Sequence, residues 1–91
     1  MLSEARRQSI LERATGLLAQ IDEEVQLHDV ILDSTRQQLV LVMQKNDLPV
    51  LMGLSYLDYV SHRDEDFKKF LREGLAKREA AARKREEEDE A

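Results

Sequence analysis

The chain has no cysteine and no tryptophan, a single proline and three glycines. Without cysteine there is no disulfide, thiolate metal site or thiol nucleophile, and the redox compartment is left open. Tyr56, Tyr59, Phe67 and Phe70 are the whole aromatic set and fall within one short span. The core must therefore come from Leu, Ile, Val, Met and Ala, which suits helix packing. Turn residues are scarce and no alternating run of β-branched residues stands out, so a multi-stranded sheet is not expected. A long hydrophobic run is missing as well. The most apolar stretch, Leu39 to Val60, is broken by Gln44-Lys45-Asn46-Asp47 and by Pro49, which argues against a membrane-spanning helix. No apolar segment follows the basic pair Arg6-Arg7, so no secretory signal is read and a cytoplasmic protein is expected.

What is present is an apolar repeat. No Gly or Pro occurs between Gly16 and Pro49. Through that stretch Leu11, Ala14, Leu18, Ile21, Val25, His28, Leu32, Thr35, Leu39 and Val42 recur in steps of three and four. The spacing keeps one stripe on one helical face and predicts a coiled-coil-like seam. Ser3 fits the N-cap, with Glu4 in the first turn, and the helix is expected to run over residues 4–45. Ser34 and Gln37, spaced as a capping box, mark the one place where it would break into two. His28 and Thr35 are read as imperfections at the edge of the seam.

Asn46-Asp47-Leu48-Pro49 reads as a helix boundary, Asn tolerating the left-handed conformation and Pro49 fitting an opening turn. A second helix is expected from Pro49 to Val60, with Gly53 at a close helix approach. Ser61-His62-Arg63-Asp64 forms a second boundary, and a third helix presents Phe67, Phe70, Leu71 and Leu75 to the core. Beyond Ala76 the stripe disappears. The reading is therefore an all-α fold, a long N-terminal helix with two shorter helices folding back on it. Residues 1–76 form the helical interaction domain, and residues 77–91 a charged helical extension ending in a disordered acidic tail.

The function that follows is non-enzymatic protein binding, as an adaptor, assembly or regulatory subunit. The residues expected to bind a partner are Leu18, Ile21, Val25, Leu32, Leu39, Val42, Leu51, Leu54 and Leu57. The expected partner is a second copy, as a homodimer or higher homo-oligomer, or a heterologous protein client. No membrane contact is expected. There is no Gly-rich phosphate loop, nucleophile elbow or HExxH, and no cofactor is expected. His62, Asp64, Glu65 and Asp66 are adjacent at a helix start, where the dipole already accounts for the acids, and they do not make a convergent metal site.

The net charge of −5 hides a local pattern. Lys68, Lys69, Arg72, Lys77 and Arg78 begin a basic run that continues to Arg85, and Glu86 to Glu90 are all acidic. These five basic residues are the candidate contacts of an alternative reading, a nucleic-acid-associated accessory. Against it, the basic side chains spread round the helix, Glu73 and Glu79 are interspersed, and no base-reading motif accompanies them. A secretion or phage-assembly chaperone is a third class.

The stretch from Thr35-Arg36-Gln37-Gln38-Leu39-Val40-Leu41-Val42 to Leu71, above all Leu57-Asp58-Tyr59-Val60-Ser61-His62-Arg63-Asp64-Glu65-Asp66-Phe67, resembles the small conjugal-transfer accessory proteins of the TraC/TraD type. Those have a basic N-terminal helix, an apolar helix, and then a Leu-Asp-x-Phe/Val segment with a charged turn and a Phe. The resemblance covers about a third of the chain. It implies a plasmid-transfer accessory that helps assemble a complex on DNA. This chain departs from the pattern in its acidic first half and its long tail, and no functional residue is carried over.

Overall fold

Ser3 does cap a helix, its hydroxyl accepting from the Arg6 N–H at 3.2 Å. In the computed structural model, which describes residues 2–89 and side chains as far as Arg85, this helix (α1, Glu4–Ile21) ends at Asp22. Three strands follow: β1 (Val25–Asp33), β2 (Gln38–Lys45) and β3 (Leu48–Ser55). They form one antiparallel sheet in the order β1-β2-β3. A short helix, α2 (Tyr56–Ser61), is capped by Ser55, and α3 (Asp64–Asp89) closes the described chain.

The fold is α+β, and it overturns the all-α expectation, with its helical bundle and its coiled-coil seam. The helix expected over residues 4–45 stops at Ile21, and the rest of that span is a β-hairpin. The helix expected from Pro49 to Val60 is mostly β3, with only its last turns helical. Two connections decide the matter. Asp33 accepts from the N–H groups of Thr35 and Arg36, and Gln37 adopts φ 54°, so the Ser34–Gln37 spacing belongs to a turn between strands. Asn46, at φ 52°, and Asp47 link β2 directly to β3, a length that favours hairpins. Asn tolerates that left-handed geometry better than most residues. Pro49 has no N–H to give a ladder, and it sits on an edge strand, where that costs least.

Strand pairing sorts the side chains onto two faces. Leu39, Leu41 and Met43 of β2 are paired with Leu54, Met52 and Val50 of β3, and with Leu32, Val30 and Leu27 of β1. All nine are on one side, and α1 and α3 cover it. From α1 come Ile10, Ala14, Leu17 and Leu18, all buried, at the spacing of one helical face. From α3 come Phe67, Leu71 and Leu75, also buried, with Phe70 packed at the margin. Gly74 lets α3 approach the sheet: a Cβ there would lie 2.1 Å from Met52 Cε.

Polar contacts pin the helices over this face. Lys45, on the covered side of β2, pairs with Asp22 at 2.6 Å and with Glu79 of α3. One ammonium thereby ties the end of α1, the sheet and α3 together. It holds the Asp22 carboxyl below the usual carboxylate range, chiefly through the hydrogen bond, and its own pKa is pushed up by the two carboxylates. Arg13 is held between aromatic rings, its guanidinium carbon 5.0 Å from the centroids of both Tyr59 and Phe67. It also donates to the His62 and Tyr59 carbonyls and to Asp64, fixing the turn from α2 into α3.

Beyond Glu79 the described side chains of α3 are exposed apart from Ala82. The helical backbone continues through Asp89. The acidic side chains of residues 86–91, and the fold of residues 90–91, lie outside the described residues.

Candidate functional site

Both helices that cover the sheet lie on the same side of it, so the opposite face is bare. Its side chains follow from the register. Val40 and Val42 of the central strand lie beside Ile31 of β1 and beside Gly53 and Leu51 of β3. Ile31 is 52% exposed and Leu51 57%. Val40 and Val42 are half-buried by these neighbours. Glutamines frame the group: Gln26 and Gln44 face one another at one end, and Gln38 lies at the other. The result is a contiguous apolar strip along the middle of an uncovered sheet. Strips of this kind on small proteins usually mark contact surfaces.

The electrostatics of this face are as notable as its apolarity. Asp29 lies in register with Val42, but its carboxylate is drawn to Arg7 of α1 at 2.7 Å. That contact holds the Asp29 carboxyl below its ordinary range and raises the Arg7 pKa. Asp33 is engaged with its own turn, and His28 meets Gln44 at 3.2 Å. The strip itself carries no formal charge, in a chain that is 36% charged.

Neither edge of the sheet is a simple template for another strand. β1 has a bulge between Leu27 and Asp29 that leaves His28 without a partner. On β3, Pro49 lacks a donor, and Arg78 of α3 reaches over to donate to the Leu51 carbonyl at 3.0 Å. Bulges, prolines and charged side chains of this kind discourage edge-to-edge pairing.

The residues expected to form one seam are distributed over both sides of the sheet. Leu18, Val25, Leu39 and Leu54 are buried in the core, and Ile21 and Leu32 pack against it. They face inward, where the chain's own helices cover them. Val42 and Leu51 are on the bare face. Leu57, 75% exposed, projects from α2 together with Val60. Of the nine, the structure brings only Val42 and Leu51 together on a free surface. The neighbours that complete that surface, Ile31, Val40 and Gly53, were not singled out by the repeat. No local signal marks them, because they lie on three different strands and meet only through the register.

The basic residues are divided too. Lys68 is paired with Glu65 at 2.8 Å and meets Gln20, and Arg78 is engaged at the β3 edge. Lys69, Arg72 and Lys77 are exposed on α3. Among the described residues, no three His, Asp or Glu side chains are grouped so as to hold a metal. No described helix is long and apolar enough to cross a membrane. Comparison with protein-family models, curated proteins and solved structures gives no match.

Proposed function

We propose that the protein is a non-enzymatic binding module, an adaptor or assembly subunit, that engages another protein chain through the bare face of its sheet. One observation carries this reading: a sheet with helices on one side only leaves Ile31 and Leu51 exposed beside the half-buried Val40 and Val42, a continuous apolar strip on the other. Antiparallel sheets often leave one face to water, but that face is then normally polar. Here its centre is aliphatic.

The nucleic-acid reading has less support, because two of its five basic residues already have intramolecular partners.

The test is site-specific photo-cross-linking in the producing cell, with a photoreactive residue at Leu51 or, as a control, at Ala19 on the exposed side of α1. Protein cross-links from position 51 and none from position 19 are expected. Equal labelling at both positions, or none at either, would overturn the proposal.

A further inference from the structure

We infer that the two edges of the sheet are guarded by arginines, Arg7 from α1 and Arg78 from α3, and that these side chains keep copies of this chain from joining edge to edge. This holds whatever occupies the bare face.

Residues along an antiparallel strand turn their backbone groups alternately towards one side and the other. On β3 the Leu51 carbonyl accepts from Arg78 at 3.0 Å. Leu51 therefore faces outward, away from β2, and Pro49 and Gly53 face outward with it. Pro49 has no N–H to offer, and Arg78 occupies the Leu51 carbonyl, reaching over the edge from the covered side. An incoming strand would meet a missing donor and then an occupied acceptor. Its first complete pair of backbone groups would be at Gly53.

The other edge follows from the register. Leu51 lies opposite Val42, and Val42 opposite Asp29. Since Leu51 faces away from β2, Val42 and Asp29 turn their backbone groups towards each other, and Val30 is the next residue of β1 to face outward. Its N–H donates to Asp29 Oδ1 at 2.8 Å. The same oxygen accepts from Arg7 Nε at 2.9 Å and lies 2.7 Å from Arg7 Nη2. Asp29 is on the bare side by register and Arg7 comes from a helix on the covered side, so this ion pair spans the β1 edge.

The two guards correspond. Each covering helix sends one arginine over the edge strand it packs on, α1 over β1 and α3 over β3. One ends on an outward N–H through a carboxylate, the other directly on an outward carbonyl. Arg78 is exposed and Arg7 partly so, so neither is spent on filling the core. An edge beside an aliphatic face has particular need of such protection. Pairing there would join the exposed Ile31 or Leu51 side chains of two copies as well as their backbones.

The test is to remove the guards and follow self-association. Arg78→Ala opens β3 alone. Two copies sharing that edge leave no other open edge, so association should stop at a pair. Arg7→Ala/Asp29→Ala/Arg78→Ala opens both edges and should continue beyond pairs. At the top of a dilution series of about 1–200 µM, light scattering should show a mass roughly twice the wild-type value for the first variant and more for the second. Circular dichroism at the lowest concentration should match wild type. Arg78→Lys, which keeps a donor, should behave as wild type, and so should Lys69→Ala/Lys77→Ala, which removes two positive charges elsewhere on α3. In the associated samples, hydrogen exchange at the outward Leu51 and Gly53 amides should slow by about tenfold or more.

Wild-type masses for both variants throughout the series overturn the inference, as does equal association of the Lys69→Ala/Lys77→Ala control. Association without slower exchange at Leu51 and Gly53 overturns it too, because the contact is then not the edge. Should the triple variant fail to fold, Arg78→Ala decides alone, since it removes a single exposed side chain.

Discussion

The two faces of the sheet are made from the same three strands, often from adjacent residues, and they have opposite fates. On the covered face, Leu39, Leu41 and Met43 are fully enclosed by α1 and α3, so each methylene is in contact on all sides. On the bare face, Val40 and Val42 alternate with them along the same strand and touch only their cross-strand neighbours. An aliphatic residue stabilises a fold in proportion to the surface its own chain removes from water. By that measure the covered face contributes most of the stability, and the bare face leaves part of its apolar surface in water. A leucine in one row and a valine in the next therefore carry different weights in folding.

The contrast can be broken at several strengths. Leu41→Ala opens a cavity at the centre of the covered face and should destabilise the monomer by about 2–5 kcal/mol, seen as a large drop in urea midpoint. Val42→Ala, one residue away, should change monomer stability by less than about 1 kcal/mol. Comparable losses at both positions would mean that the two faces are not distinct.

Glycines give a second, smaller test. Gly74→Ala places a methyl group where the flexible tip of the buried Met52 lies, so the ~1 kcal/mol gained in helix propensity is offset by moving that tip within the core, and Tm should rise less than in Gly16→Ala. Gly16→Ala meets nothing within 4 Å and should stabilise α1 by about 0.5–1 kcal/mol.

The smallest effect concerns pH. Asp22 and Asp29 are held below the ordinary carboxylate range by Lys45 and Arg7. Their contribution is present above the unfolded-state value of about 4 and is lost as pH falls through the lowered folded-state values. Lys45 is shifted upward, so its contribution is present at neutral pH and is lost only above the normal lysine range. Tm should be flat around neutrality and decline in acid, and the acid decline should be shallower in Asp22→Asn. An equal slope in that variant would remove Asp22 from the account.

Parts of this arrangement were legible before any tertiary information. Ser3 as a cap, a boundary at Asn46-Asp47, a helix start just after Arg63, and Phe67, Leu71 and Leu75 as core all follow from local chemistry: hydroxyl capping, left-handed tolerance, acids at a helix N-terminus, and 3.6-residue spacing. The strands were hidden for an equally local reason. The bulge at His28 inserts one residue into β1, so its inward side chains fall at Val25, Leu27, Val30 and Leu32. That sequence of steps breaks the period of two and leaves a three-residue interval resembling a helix. In β2, Val40 and Val42 fill the outward positions with aliphatic residues, so the alternation with Leu39, Leu41 and Met43 disappears into a continuous apolar run.

The candidate site could not be read for the same reason. A strip formed by Ile31, Val42 and Leu51 exists only once three strands are in register. By itself the sequence determined where α1 and α3 begin, that the chain breaks at Asn46-Asp47, and the aliphatic composition of the core, because these depend on residues within a few positions of one another. Only the tertiary structure decided which aliphatic residues are enclosed and which are left bare. Strand pairing and the placement of both helices on one side are long-range choices, and alternating side chains take their environment from whatever lies across the sheet.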